Sequence, residues 1–522
     1  MPHLSWFSSR RLPLICFLGL VLISTLSFHT PASSYLSFNS FHYYLSSAAS
    51  SCPSVYNTGR PPIDRSAFKC HTVPSKIPLF ELEVCYAEGQ CNQFTLRIKR
   101  TSAEACREQE ATPDPSEDPA LTKWMREQRG PDAFYVKTDG AERYASVYPT
   151  YEGRCTYSFD IRLKNPGDVY VSIWWEHERY TGFSETNTSW PEMLFKSLSD
   201  PIALHTCPSY CTTQLSAPLV PTQRIDHFPP LPPSRSHVLP NCSGPDPIPG
   251  SYIPANPLDV LYPPEVLPQP NEQPVMGRYG FVPEACTWRH AGLRFSDSKD
   301  RCTKKDRSMR MFITGDSHGR SLYDAIRHRL EGNTDTLLDS EKIGSKSSTI
   351  DQLNINFLWD PKGLEFLDFD PEPCEGYVRD ADIIVVSIVA HYRGHETTAQ
   401  YLSQFRKILS GYAACPYHPS SYDQNDPHPQ RKLILLYSPA IVQRWDDYVI
   451  DFRDHGTNIR MRYWRDESQK VAKEFGWMFV DQYDLTLPHS LEPRGTDLAH
   501  YLANDAIDPI VDEVLGKTGL CE

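Results

Sequence analysis

A serine lies at a strand-to-helix corner in the middle of the chain. Residues 311–313 form an apolar run of strand length, and Gly315 permits a sharp turn two residues before Ser317. Apolar residues then recur at helical spacing, at positions 322, 325, 326 and 330. The unpaired N–H groups and positive dipole of a helix N-terminus would stabilise the oxyanion formed when the Ser317 hydroxyl attacks an acyl carbonyl. The pattern also fits an ordinary turn in which Asp316 or Ser317 only caps the helix.

A carboxylate and an imidazole lie three residues apart near the C-terminus, at Asp497 and His500. A serine hydroxyl is a weak nucleophile until a base removes its proton, and that base needs a partner that fixes its tautomer. We therefore expect His500 to be the general base for Ser317 and Asp497 to orient it. Taken alone, the pair also fits a capped turn with an exposed histidine.

The C-terminal half, from about Tyr279 to Cys521, resembles the SGNH/GDSL hydrolase superfamily and its PC-esterase branch, found in neurexophilin-and-PC-esterase-like and trichome-birefringence-like proteins. The resemblance rests on three motifs: Gly315-Asp316-Ser317 with Arg320 three residues on, the Ser387–Arg393 segment after a strand, and Asp497-x-x-His500.

This resemblance implies a catalytic triad of Ser317, Asp497 and His500. It also implies that Arg320, His391 and Gly315 contribute to the oxyanion or substrate site. Arg320 could equally be a surface helix arginine. Val389 stands where related sequences usually have glycine, which bears on the second backbone donor of the oxyanion site.

The N-terminal 34 residues predict a membrane segment. Arg10 and Arg11 precede an uncharged, mostly apolar run of 17 residues, Leu12–Phe28. As a helix this run would extend roughly 25 Å, a short bilayer span, whereas the apolar part of a cleaved signal is usually about 7–15 residues. The flanking arginines predict a cytoplasmic N-terminus and a lumenal remainder. The alternative is a signal peptide cleaved near Ala32.

Cysteine usage predicts an oxidising compartment. The chain has 15 cysteines, of which only Cys16 falls in the apolar N-terminal run. The others lack the paired spacing of a zinc site, so we predict disulfides, and Cys286 could close a small loop with Cys302. Asn187 and Asn241 each begin an N-glycosylation tripeptide, which agrees with secretory passage.

Composition divides the chain into five regions. A stem over 35–75 follows the anchor, and alternating aromatic-rich segments over 76–206 predict an antiparallel β-sandwich that resembles immunoglobulin- or filamin-like modules. A proline-dense stretch over 207–278 predicts a stiff linker, and residues 279–522 would be the catalytic domain. The sandwich aromatics Trp174, Trp175 and Tyr180 fit either a sugar-stacking surface or a core.

Within the last region, strand-like and helix-like segments alternate. Strands are predicted at 354–359, 383–389, 433–437 and 477–480, and helices at 397–412, 458–475 and 508–515. Such alternation predicts a parallel sheet covered on both faces, with ligands bound beyond the C-terminal strand ends. The predicted fold class is therefore α/β: an SGNH-type three-layer α/β/α domain with a parallel sheet, preceded by the β-sandwich and the signal anchor.

The formal net charge of −13 argues against nucleic acid or an anionic membrane surface as a general partner. A glycan substrate and an acyl donor fit better, and the sequence has no dinucleotide fingerprint, phosphate-binding loop or metal-ligand cluster. Acyl transfer without a cofactor or a metal is therefore the simplest chemistry. The sequence predicts a lumenal carbohydrate O-acyltransferase, with an esterase using the same triad and a non-catalytic glycan- or protein-binding glycoprotein as alternatives.

Overall fold

A computed structural model describes the chain in segments, all within one compact unit that spans Tyr56–Glu522. The predicted anchor, residues 1–34, lies outside the described residues. Among those that are described, no helix is long and apolar enough to span a membrane. The described residues are 65–66, 68–87, 93–102, 104, 106, 119–163, 167–178, 194–206, 241–254, 279–283, 286, 302, 308–331, 344–364, 374–392, 396–419, 430–441, 457–491, 500–501 and 505–520.

Two antiparallel sheets form the N-terminal part, with strand orders β1-β2-β3-β7-β6 and β10-β8-β4-β5; β9 also pairs with β8. A short helix, α1, runs into a π-helical turn before β4. The alternating segments 80–85, 93–98, 155–163 and 169–175 predict four strands, and the structure has a strand at each of them. The elements are Phe68–Val73 (β1), Phe80–Ala87 (β2), Gln93–Arg100 (β3), Pro119–Trp124 (α1), Met125–Arg129 (π turn), Ala133–Gly140 (β4), Tyr144–Ser146 (β5), Thr150–Gly153 (β6), Thr156–Arg162 (β7), Gly167–His177 (β8), Lys196–Ser197 (β9) and Ile202–Thr206 (β10).

The two sheets share one apolar core, to which inward-facing residues of β2, β3, β4, β7 and β8 contribute. Trp175 is 4% exposed, and its ring packs edge-on against Phe80 with centroids 5.1 Å apart. Trp174 stacks on Phe195 at 5.7 Å. Trp175 therefore lies in the sandwich core, as the core interpretation predicts, whereas Trp174 is only partly buried and packs outside that core. Tyr180 lies outside the described residues.

The remaining strands form a hairpin and a six-stranded sheet. The hairpin pairs β11 with β12, and the sheet has the order β14-β15-β13-β16-β17-β18. One face of this sheet packs on α4 and α5, and the other packs on α2 and α7. The elements are Gly250–Pro254 (β11), Tyr279–Pro283 (β12), Met309–Gly315 (β13), Ser317–Leu330 (α2), Lys346–Ile350 (β14), Leu353–Trp359 (β15), Tyr377–Asp380 (α3), Ile383–Ser387 (β16), Val389–His391 (3₁₀), Thr398–Ala414 (α4), Lys432–Tyr437 (β17), Asn458–Glu474 (α5), Met478–Asp481 (β18), Gln482–Thr486 (α6), Leu487–His489 (3₁₀) and Ile507–Thr518 (α7).

The predicted fold class is wrong. Strand residues outnumber helical residues, and three of the four sheets in the described part of the chain are antiparallel. The six-stranded sheet is mixed, because β14 pairs antiparallel with β15. Only Asp351 and Gln352 separate these two strands, and a connection that short can join only antiparallel neighbours. The observed architecture is therefore a largely antiparallel β protein with one mixed, helix-covered sheet, and no anchor helix appears among the described residues.

Four disulfides join described cysteines: Cys70–Cys85, Cys106–Cys155, Cys242–Cys286 and Cys374–Cys415. They place the protein in an oxidising secretory or extracellular environment. The suggested loop between Cys286 and Cys302 is wrong, because Cys286 pairs with Cys242 across 44 residues.

Residues 241–254, which we call the strap, lie inside the stretch predicted to be a linker and contact the C-terminal helix α7. The fully buried ammonium of Lys517 donates to the carbonyls of Gly244 at 2.6 Å and Asp246 at 2.7 Å. Glu513, buried beside Lys517 at 3.3 Å, accepts from the N–H of Ile248. Burial raises the pKa of Glu513 to about 7 and lowers the pKa of Lys517. This buried pair fixes the strap to the helix.

The sandwich also contacts the C-terminal part directly. The Tyr135 hydroxyl on β4 donates to the carbonyl of Leu487 at 3.0 Å. The Arg143 guanidinium lies 3.2 Å from His489 Nδ1 and 2.9 Å from the Asp139 carboxylate. All five side chains are buried, so the second sandwich sheet covers apolar surface of the C-terminal part.

Gly315 is required by the close approach of two strands. Its φ is +138°, and a Cβ built there would lie 1.7 Å from the carbonyl oxygen of Ser387. We expect Gly315→Ala to lower the free energy of unfolding by about 2–5 kcal/mol, from backbone strain and overpacking together. Gly244→Ala is the matched control, since its Cβ meets nothing within 4 Å. Thermal unfolding midpoints compare the two, and equal midpoints would contradict the expectation.

Lys517→Met removes the cation that holds the strap and leaves Glu513 buried without its partner. We expect the free energy of unfolding to fall by about 3 kcal/mol or more. Lys473→Met is the control, because Lys473 pairs with Asp246 at 2.9 Å while 67% exposed, and such a surface pair contributes no more than about 1 kcal/mol. Denaturant unfolding measures both variants, and a Lys517→Met protein as stable as the control would show that the strap is held by other contacts.

Candidate active site

Ser317 is the first residue of α2 and follows β13, the third strand in the order of the six-stranded sheet. β13 runs parallel to β15 on one side and to β16 on the other, so Ser317 lies beyond the C-terminal ends of these strands. Its side chain is partly exposed. Apolar β13, the glycine turn and the capped helix are thus arranged as the sequence predicts, and they hold a hydroxyl at a helix N-terminus.

Asp316 fixes this corner from within. Its carboxylate is fully buried and caps α2, with Oδ1 accepting from the N–H of His318 at 2.9 Å and from the Ser387 hydroxyl at 3.2 Å. Oδ2 accepts from the N–H of Ala390 at 3.1 Å. Burial raises the pKa of Asp316, while the nearby His391 and these three donors oppose the rise. One carboxylate therefore ties the serine turn to the segment after β16.

Arg320, His391 and Trp359 lie together beside this corner. Arg320 is 7% exposed, so it is not a surface helix arginine. Its guanidinium carbon lies 5.4 Å from the centroid of the Trp359 ring. The His391 ring stands perpendicular to Trp359, with centroids 5.9 Å apart, and His391 is exposed. The structure thus brings both predicted substrate-site side chains to one tryptophan.

His500 lies next to the turn that carries Ser317. Its ring is 5.0 Å, centroid to centroid, from the ring of His318, the residue that follows Ser317. The fold therefore brings together two motifs that are far apart in the sequence, and the predicted base lies at the start of α2. Asp497, the predicted orienting carboxylate, lies outside the described residues.

A small cavity borders the same helix. Its volume is about 10 Å³, and its lining includes His318, Ser321, Gln482 and Tyr501. Room of that size holds about one water molecule. A long acyl chain does not fit there.

The structure also describes three of the other four residues named from the sequence: Gly315, Val389 and Asn241. Gly315 serves the turn through its backbone, and its carbonyl accepts from the N–H of Asp360 at 3.0 Å. Val389 is fully buried, and the neighbouring Ala390 N–H is already bonded to Asp316. Asn187 lies outside the described residues. Asn241 is partly buried and directly precedes Cys242, which forms a disulfide.

Two residues of the site, Trp359 and His318, were not singled out from the sequence, and Ser387 was named only as the start of a motif. Trp359 is the last residue of β15 and is paired with Gly315 on one side of β13. Ser387 is the last residue of β16 and is paired with Gly315 on the other side. A signal was present, because polar or aromatic residues at the C-terminal ends of parallel strands converge on one edge of a sheet. The pairing order of the strands, which identifies β15 and β16 as the neighbours, could not be read from the pattern.

One group of described side chains has the spacing of metal ligands: Cys70, Glu83 and Cys85. Cys70 and Cys85 are joined by a disulfide. Their sulfurs are therefore not available as thiolate ligands.

Comparison with known proteins gives no assignment, since no family model and no curated protein matches the chain.

Asp316→Asn tests the carboxylate that ties the corner together. The amide oxygen can keep the Oδ1 bonds, but its NH2 group would face the Ala390 N–H, so two donors oppose each other. Loss of this charge-assisted bond is worth about 1.5–3 kcal/mol, so exchange of the Ala390 amide should accelerate by roughly tenfold or more. Hydrogen-exchange mass spectrometry of a peptide covering 386–392 measures this. Ser387→Ala, which removes only an Oδ1 bond, is the control, and equal exchange in the two variants would contradict the role of Oδ2.

Proposed function

We propose that this protein is a carbohydrate O-acyltransferase that uses Ser317 to form an acyl-enzyme in the secretory pathway. The observation that carries the proposal is the position of Ser317. A partly exposed serine stands at the positive end of a 14-residue helix, with the His500 ring beside the next residue. Helix N–H groups, a nucleophile and a base are what acyl transfer requires.

In the proposed reaction, His500 removes the proton of the Ser317 hydroxyl, and the serine oxygen attacks the acyl carbonyl. The negative charge that develops on the carbonyl oxygen is stabilised by N–H groups at the start of α2 and by Arg320. Collapse of this intermediate expels the donor's leaving group, which takes the proton from His500. A sugar hydroxyl then gives its proton to His500 and attacks the acyl-enzyme. Collapse of this second intermediate breaks the bond to the Ser317 oxygen, which takes the proton back from His500 as the O-acylated glycan leaves. Asp497 would hold the imidazole in the tautomer that both steps need.

The proposed acyl group is acetyl, as the resemblance of the C-terminal half to glycan O-acyl enzymes implies. The acidic net charge favours a neutral glycan over nucleic acid as the acceptor.

We further propose that the protein acts in the Golgi lumen, held by residues 12–28 as a type II anchor. The disulfides support passage through an oxidising compartment. The arginines before the apolar run support a lumenal C-terminal part.

A serine-reactive fluorophosphonate probe tests the acyl-enzyme step on full-length protein produced through the secretory pathway. We expect the wild type to be labelled and Ser317→Ala to remain unlabelled. Ser321→Ala is the matched control one helical turn away, because its hydroxyl only donates to the Ser317 carbonyl at 2.9 Å. An unlabelled wild type, or labelling that persists in Ser317→Ala, would refute a Ser317 acyl-enzyme.

Hydrolysis shares the acyl-enzyme and differs only in the second nucleophile. Incubation with vinyl acetate and a neutral oligosaccharide separates the two, because transfer yields acetylated sugar and hydrolysis yields acetate. A protein that gives only acetate at high sugar concentration is an esterase.

A further inference from the structure

We propose that Trp359, together with Arg320 and His391, forms a subsite for one pyranose ring of the glycan substrate. This inference rests on the proposed function for the identity of the substrate and adds the surface that recognises it. Trp359 ends β15 opposite Gly315, two residues before the nucleophile. The subsite therefore adjoins the position at which a sugar hydroxyl would have to meet the acyl group.

The backbone next to Trp359 is fixed. The following residue, Asp360, donates its N–H to the Gly315 carbonyl at 3.0 Å, and the Asp360 carboxylate accepts from the N–H of Leu364 at 2.8 Å. Trp359 itself is only partly buried and packs at the edge of the core on the α2 side of the sheet. The backbone beside the indole is thus held in place, while the Trp359 side chain remains partly exposed.

The groups around the indole give the subsite its chemistry. The Arg320 guanidinium lies over the ring at 5.4 Å, and the exposed His391 ring meets it perpendicularly at 5.9 Å. A pyranose ring presents C–H groups on its faces and hydroxyls around its rim. The faces suit an aromatic surface, and the hydroxyls suit hydrogen bonds to a guanidinium and an imidazole.

This combination distinguishes a sugar from other occupants. An acyl chain would gain nothing from a guanidinium and an imidazole beside the aromatic ring. Binding sites for small polar molecules commonly combine an apolar surface with a few placed polar groups, which is the arrangement here.

Binding to an array of neutral glycans tests the subsite apart from catalysis. Full-length Ser317→Ala protein should bind glycans on the array, and adding Trp359→Ala should weaken that binding by about tenfold or more. Trp359→Phe keeps an aromatic face and should retain binding within a few-fold. Trp174→Ala is the control, since Trp174 is also partly buried but stacks on Phe195 in the sandwich. Absence of glycan binding by the parent, or binding that Trp359→Ala leaves unchanged, overturns the subsite.

A kinetic comparison on the catalytically intact protein adds a second readout. Acetaldehyde release from vinyl acetate reports acylation of Ser317 without any sugar, and acetyl transfer to a methyl glucopyranoside reports use of the subsite. Trp359→Ala should raise the KM for sugar by about tenfold or more, a loss clearly larger than any change in the acylation rate. Equal loss of both rates would show a merely structural role. If fluorophosphonate labels Ser317 but Trp359→Ala changes neither glycan binding nor the KM for sugar, the subsite is refuted and the proposed catalysis is not. If the protein binds glycans but is not labelled, the proposed catalysis is refuted and the subsite is not.

Discussion

The buried carboxylate of Asp316 is the interaction on which the rest of the site depends. A fully buried charge is costly unless it is hydrogen-bonded, and Asp316 meets this requirement with two backbone N–H groups and one hydroxyl. The donors come from α2, the end of β16 and the segment after it. The charge can therefore be accommodated only when these three parts of the chain are together, and this condition makes the corner a single rigid unit.

This rigidity explains how a partly exposed serine can be held in place. Ser317 begins a capped helix, and Arg320 lies about one turn further along that helix. The preceding turn is fixed by the close approach of Gly315 to Ser387. Pre-organisation of this kind is valuable where a reaction develops charge at a fixed point, because the donors do not have to move during the reaction. The same unit also sets the distance between the serine and the indole of Trp359.

Much of the local structure could be predicted because it depends on local sequence. The β13 strand, the glycine turn and the start of α2 follow from an apolar run, one glycine and one capping aspartate, and Thr397 and Thr457 cap α4 and α5 in the same way. The fold class could not be predicted, because the edge strand β14, Lys346–Ile350, is polar and its sequence pattern does not indicate a strand. Pairing of Cys242 with Cys286, and the meeting of His318 with His500, depend on long-range folding and have no local signature.

The contact between the sandwich and the C-terminal part has a consequence for biosynthesis. The Tyr135 hydroxyl finds its acceptor at Leu487, 352 residues later in the chain. At a synthesis rate of about 5–20 residues per second, roughly 20–70 s pass between the appearance of the two partners. During that interval the apolar side of the second sheet has emerged from the ribosome without the surface that will cover it. Lumenal chaperones would have to shield this sheet until translation ends. The yield of folded protein would then depend on whether chaperones stay bound for as long as translation of the C-terminal part takes.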